Sequence, residues 1–205
     1  LEYGHLNDMV TLPAETDKVP KDSSRVPVFG GEKMPFIDLL YGMMIRSGND
    51  AANAVAVIVG GSQDAFAKMM NARAKELGCK GTHFVNAHGY HDENHYSTAY
   101  DLALITKEGM RHDTFRTIVS ARNYTMTITD HLEIEGRGEK LRLESGNTMF
   151  VNSKDNKHYY PPLVGVKSGS HSKAGNCFVG AAKKNGVNLI STNTFRIRMR
   201  NNFKR

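Results

Sequence analysis

The spacing of apolar residues changes once along this chain, near Tyr124, and that change limits the fold more than any other feature. From Met34 onward the apolar positions recur at three- and four-residue intervals, as they do on one face of a helix. Phe36, Leu39, Leu40, Met43 and Met44 place a buried stripe on a helix reaching about Arg46, and Ser47, Gly48 and Asn49 interrupt it. The run DAANAVAVIV is apolar almost all round. It predicts a central helix with Asp50 in its first turn, buried on most sides and ended by Gly60-Gly61. Ser62 is placed to cap a third helix with a Phe66, Met69, Met70 and Leu77 stripe and Gly78 at its end. Residues 79–96 read as a loop rich in His, Asn and Gly, Ser97 as the cap of a helix through about Met110, and residues 114–121 as a shorter helix.

Beyond Tyr124 the interval becomes two. Tyr124, Met126 and Ile128 alternate with Thr125, Thr127 and Thr129, and LEI and LRL flank a Gly-Arg-Gly turn. CFVGAA and VNLIS flank Asn185-Gly186, a strong hairpin signal. A helical block followed by a strand block predicts an α+β fold, with an antiparallel sheet beside a helical subdomain. The expected organisation is one partial domain over 1–205. Residues 1–33 are polar loops with one short strand, 34–122 are mainly helical, 123–192 mainly sheet, and 193–205 a basic tail.

The formal charge of +6 raises the question of nucleic acid, but residues 196–205 carry five basic side chains and no acidic one. The rest of the protein is nearly neutral. A short cationic terminus reads as a solvated end, so no nucleic-acid partner is expected. Two cysteines, Cys79 and Cys177, lack metal-ligand spacing and are too few for a disulfide scaffold. No apolar stretch approaches a membrane span, and the opening LEYGHLNDMV has neither an initiator Met nor a signal-peptide pattern. The chain reads as a piece that begins partway into something.

Two polar clusters carry candidate chemistry. In RSGNDAANAVA, Ser47 and Asn49 put a hydroxyl and a carboxamide two residues apart on a connector between helices. The triplet alone is weak, because Ser and Asn favour helix starts and Ser145-Gly146-Asn147 repeats it in a hydrophilic turn. In LVGVKSGSHSKAG, an apolar strand ends on Lys167, Ser168 and Gly169. A strand-end lysine beside a hydroxyl suits a carboxylate ligand, and Gly169 allows a ligand backbone to come close.

A rival reading is a zinc site. His83, His88, His91 and His95, with Asp92 and Glu93, lie within thirteen residues. They lack the i, i+4 helical arrangement of a metalloprotease, and Asn86, Gly89 and Asn94 indicate an irregular loop. No metal and no cofactor are expected.

Together the two clusters resemble the second and third signatures of penicillin-recognising serine enzymes, S-x-N and K-[TS]-G, in that order. Three longer blocks strengthen the likeness: DLLYGMMIRSGNDAANAVA, AKELGCKGTHFVNAHGYHDENHYSTAYDLALI and VGVKSGSHSKAGNCFVGAAKKNG. Over roughly residues 6 to 190 the chain resembles the D-alanyl-D-alanine carboxypeptidases, the low-molecular-weight penicillin-binding proteins. The resemblance implies a β-lactamase/transpeptidase-like fold. It further implies a serine-type carboxypeptidase that removes the terminal D-alanine of peptidoglycan stem peptides through an acyl-enzyme.

In that family pattern Ser47 relays a proton toward the leaving group and Asn49 holds the substrate's peptide carbonyl. Lys167 hydrogen-bonds Ser47 and supplies positive potential. Ser168, where the family usually has threonine, binds the terminal carboxylate, and the backbone N–H of Ser170 forms half of the oxyanion hole. The implied partners are a stem peptide ending in D-Ala-D-Ala and β-lactam inhibitors, the implied location bacterial and extracytoplasmic. Membrane anchoring through a segment outside this chain stays open.

The departures are as informative. The family nucleophile is the serine of an S-x-x-K on a helix before S-x-N, with the lysine close enough to take its proton. Nothing from Leu1 to Ser47 fits; the chain's one S-x-x-K, Ser170 to Lys173, sits just after a strand end. The chain is therefore expected to be a fragment holding the helpers without the attacker. The alternative is a catalytically inactive penicillin- or peptidoglycan-binding module; class A β-lactamase is a lesser rival, its hydrolytic glutamate having no evident counterpart. The arginine that helps bind the substrate carboxylate has no fixed position, with Arg196, Arg198 and Arg200 as candidates on a strand marked by Phe195, Ile197 and Met199.

Overall fold

Alanines at 51, 52, 54 and 56 leave helix α2 (Asn49–Gly60) thin enough to be enclosed, and every residue from Asn49 to Ala56 is buried. Gly61 ends it in the left-handed conformation, as the Gly60-Gly61 pair predicts. Around α2 stand α1 (Phe36–Arg46), with Phe36, Leu39 and Ile45 facing inward, and α3 (Gln63–Glu76). The Ser62 side chain caps α3 by accepting from Ala65 N at 3.1 Å. The computed structural model describes residues 5–127 and 140–193. Expectations for Ile128, Thr129, the LEI segment, the Gly-Arg-Gly turn and the tail with its three arginines fall outside those residues.

α4 (Ala99–Gly109) starts one residue later than spacing suggests. Its cap is Thr98, whose Oγ1 accepts from Asp101 N at 3.0 Å. Ser97 is turned instead to the Thr82 hydroxyl, at 2.8 Å. Two adjacent hydroxyl residues are equivalent to a pattern argument, and only the entry angle of the chain separates them. α5 (Asp113–Ser120) is short and buries Ile118 and Val119.

Residues 5–32 are loops around one short strand, β1 (Met9–Thr11), which pairs antiparallel with β2 (Lys33–Pro35). A one-turn 3-10 helix covers Ala14–Asp17. β3 (Asn123–Thr127) and β4 (Lys140–Glu144) form a second antiparallel pair that drops Met126 and Leu143 into the main core against α1. Tyr41 of α1 stacks on Tyr124 of β3 with ring centroids 3.7 Å apart.

The third sheet has the order β5 (Leu163–His171), β6 (Gly175–Lys184), β7 (Val187–Asn193), all antiparallel. Asn185 and Gly186 both take positive φ in the β6–β7 turn, the conformation an Asn-Gly hairpin requires. α5 packs on β5 and α4 on β7, where Thr192 Oγ1 donates to Ala99 O at 2.8 Å. The helical part therefore lies against one side of this sheet, and β5 borders it. Among the described residues no helix is long and apolar enough to cross a membrane.

Candidate active site

The turn between α1 and α2 is built around a buried carboxylate. Asp50 accepts from Val26 N at 3.0 Å through both oxygens and from Ala51 N at 2.9 Å. Asn49 N donates to Ser24 O at 2.9 Å. These bonds lay the loop Ser24–Val28 under the turn so closely that a Cβ on Gly48 would stand 2.2 Å from a Val26 methyl. Only glycine fits there. Burial pushes the Asp50 carboxyl above the usual carboxylate range, against the opposing effect of its backbone hydrogen bonds.

With Gly48 pressed against the loop, Ser47 makes the corner, in the left-handed conformation at φ 56° and ψ 38°. Its hydroxyl meets the Lys167 ammonium of β5, which hydrogen-bonds Ser47 Oγ and also donates to Ser168 O at 2.6 Å. The two residues lie 120 positions apart. Burial of Lys167 holds its pKa below the ordinary lysine range, because desolvation penalises the charged amine.

A cleft of about 510 Å³ opens from this contact. Ser47, Gly48 and Asn49 form one wall, and Lys167, Ser168, Gly169 and Ser170 the other. All six residues proposed from sequence thus border one cavity. Ser170 Oγ donates to Asn176 Oδ1 at 2.9 Å. Ser170 belongs to β5 and Lys173 lies in the turn after it, so their S-x-x-K spelling has no helix to bring lysine over serine.

A smaller cavity of about 180 Å³ is also lined by Ser47 and Lys167. Its lining includes Arg46, Ser145, Gly146 and Asn147. The second Ser-Gly-Asn, which the sequence offers as a mere turn, therefore stands at the same site. Asn147 is fixed by Met149 N donating to its Oδ1 at 3.0 Å, which leaves its amide nitrogen for another partner. Sequence could have flagged only the repeated triplet itself. Arg46, next to Ser47, is a cation that spacing does not single out.

The histidine loop serves other ends. His83 Nδ1 pairs with Asn94 O at 2.6 Å, His95 Nδ1 accepts from Val85 N at 3.2 Å, and His88 Nδ1 accepts from Tyr90 N at 3.0 Å. Burial lowers the pKa of both His88 and His95. Among the described residues no three His, Cys, Asp or Glu side chains come together as a metal site. Tyr90 lines the cleft, its hydroxyl donating to Asp22 Oδ1 at 2.9 Å and its ring edge-on to His171 at 5.7 Å.

A helical part beside an antiparallel sheet, with a corner serine against a strand-end lysine across a groove, defines the penicillin-recognising class of serine hydrolase folds. The D-alanyl-D-alanine carboxypeptidase family profile matches residues 4–194, and the chain belongs to that family. It is 37% identical over 161 residues to the D-alanyl-D-alanine carboxypeptidase DacF of Bacillus subtilis, covering 78% of this chain and 38% of that protein. It is 33% identical over 190 residues to DacC of Escherichia coli, covering 91% of this chain and 43% of that one. The chain thus spans less than half the length of these relatives. Among solved structures it is similar to the Streptomyces K15 DD-transpeptidase, with a TM-score of 0.76 and 29% identity over 94% of this chain and 74% of that one. A Mycobacterium tuberculosis D-alanyl-D-alanine carboxypeptidase gives a TM-score of 0.79 at 26% identity, over 95% and 69% of the two chains.

Proposed function

We propose that this chain forms the substrate-holding part of a serine-type D-Ala-D-Ala carboxypeptidase acting on peptidoglycan stem peptides outside the bacterial cytoplasmic membrane. The observation that carries this reading is the Ser47–Lys167 hydrogen bond at the head of the cleft. In this reading the peptide's terminal carboxylate lies against Lys167 and Ser168, its penultimate carbonyl against Asn49 and the Ser170 N–H. A serine attacks that carbonyl, D-alanine leaves, and water hydrolyses the acyl-enzyme. Ser47, hydrogen-bonded to Lys167, passes a proton to the departing nitrogen. The attacking serine lies on a Ser-x-x-Lys segment outside these 205 residues, and β-lactams enter the same cleft as acylating inhibitors.

A binding module without turnover is the second reading, favoured by the absence of a helical Ser-x-x-Lys in the sequence given. A fluorescent penicillin separates the two. The chain as given retains no label after denaturation, whereas the protein extended upstream through its next Ser-x-x-Lys is labelled covalently. Lys167→Ala in the extended protein removes most of that labelling. An extended protein that stays unlabelled establishes the binding module, and near-normal labelling of Lys167→Ala refutes the role given to the lysine.

A further inference from the structure

The loop 84–95 is closed at its base by a bridge in which His83 N donates to Tyr96 O at 2.8 Å and Tyr96 N to His83 O at 2.9 Å. Inside the loop, two pairs of neighbouring main-chain N–H groups are tied in contrasting ways. Phe84 N donates to Asn71 Oδ1 of α3 at 2.8 Å, and Val85 N to His95 Nδ1 at 3.2 Å. Gly89 N donates to Asn86 Oδ1 at 2.7 Å, and Tyr90 N to His88 Nδ1 at 3.0 Å. In each pair the first amide is held by a carboxamide oxygen and the second by an imidazole nitrogen. A carboxamide accepts at any moderate pH. An imidazole accepts only while neutral, because the imidazolium carries a proton on both ring nitrogens. Protonating His88 or His95 at Nδ1 therefore turns a hydrogen bond into two opposed N–H donors.

Ala87, His88, Gly89 and Tyr90 line the cleft of about 510 Å³, so these ties shape its wall. Burial lowers the pKa of His88, and the charge of His95 acts in the same sense. Burial also lowers the pKa of His95; the Asp92 carboxylate opposes this, and His83 and His91 reinforce it. Asp92 is itself engaged, its Oδ1 accepting from Asn94 N at 2.7 Å. From other elements, Lys167 and His171 of β5, Cys177 of β6 and Asp22 face the same cleft as His88. The Tyr90 hydroxyl occupies Asp22 at 2.9 Å, and His91 stacks on His171 at 5.4 Å. His95 packs edge-on against the Phe84 ring at 5.5 Å.

We propose that the loop 84–95 is an acid-released clasp on the cleft wall, in which protonation of His88 and His95 breaks the ties to Tyr90 and Val85 while the carboxamide ties of Gly89 and Phe84 persist. The closed loop binds these protons less tightly than the open one does. The closed form is therefore favoured above the ordinary histidine range and loses ground as pH falls through it toward the lowered values. A ligand that touches Ala87–Tyr90 meets a formed wall at neutral pH and a loosened one in mild acid. The clasp belongs to the wall itself and holds whatever the cleft binds.

The test follows backbone amide hydrogen exchange of this chain by NMR as pH is lowered, each rate taken relative to that of an unstructured peptide at the same pH. Imidazole nitrogen shifts are recorded on the same samples. At neutral pH the shifts of His88 and His95 are those of the neutral ring with its proton on Nε2. Once the rings take up protons, protection at Tyr90 and Val85 falls about tenfold per pH unit, while their neighbours Gly89 and Phe84 keep theirs. His88→Asn offers a carboxamide oxygen in place of Nδ1 and keeps Tyr90 protected across the whole range. His88→Phe, a ring with no acceptor, leaves Tyr90 unprotected even at neutral pH. A proton found on Nδ1 at neutral pH, equal losses at all four amides, or a loss at Tyr90 that persists in His88→Asn overturns the clasp. So does a Tyr90 amide that loses protection only in step with the α2 amides, since that is acid unfolding of the whole chain.

Discussion

The most exacting position in the molecule is a glycine with an ordinary backbone conformation. Gly48 has φ −64° and ψ 110°, accessible to any residue, and is excluded from substitution by packing alone. Gly48→Ala is expected to destabilise the fold by about 2–4 kcal/mol, since the new methyl overlaps Val26 and approaches an Asp50 oxygen at 2.9 Å. Gly146→Ala, with nothing within 4 Å of its Cβ site, is expected to change stability by less than about 0.5 kcal/mol. Urea unfolding of the two variants measures the contrast, and equal losses would refute it. Residues of this kind are only half legible in sequence. Ser47, Asn49 and Lys167 are visible because their residue types sit in recognisable spellings. Asn147 and Asp22 are not, because what brings them to the cavity is the path of the chain between elements.

At the level of elements, one buried acid joins helix to strand. Asp38 of α1 accepts from Tyr124 Oη at 2.6 Å and from Thr127 N at 2.7 Å, both on β3. Burial raises its pKa more than those hydrogen bonds lower it. The folded state then binds this proton more tightly than the unfolded chain does. Its contribution to stability is full below the ordinary carboxylate range and is lost as pH rises through the raised folded value. Relative to the non-titrating Asp38→Asn, the wild type is expected to lose stability as pH rises above the ordinary carboxylate range. Denaturant midpoints for both proteins across that range check the sign, and a wild type that gains on the variant would reverse it. The helices themselves are legible because 3.6-residue periodicity is a property of one segment. The pairing of β3 with α1 is not, since Asp38 and Tyr124 stand 86 positions apart and no local pattern links them.

Across the whole molecule, burial is unevenly shared. The main core gathers α1, α2, Ile118 of α5, the loop around Val26 and the β3–β4 pair. The three-stranded sheet adds little to it: Leu163 and Ala181 are its buried hydrophobic side chains, whereas Val187 and Leu189 on β7 are 64% and 60% exposed. Cooperative units with few buried contacts open first. Native-state hydrogen exchange is therefore expected to show α2 amides exchanging only on global unfolding, with β7 amides exchanging by local opening at lower free energy. Equal protection of both elements would contradict this division. The α+β class was readable from the single change of period at Tyr124, because it depends on the order of elements. The distribution of stability was not, because it depends on which faces find partners.

Ser47 leaves a last consequence. A left-handed serine costs roughly 1 kcal/mol that glycine would relieve, and glycine gives back about as much by loosening the unfolded chain. Exchanging one for the other should leave the melting curve almost where it was, while deleting the oxygen that faces Lys167. A survey of variants ranked by thermal tolerance would pass over this corner without comment; only an assay that asks what the groove can hold would notice the loss.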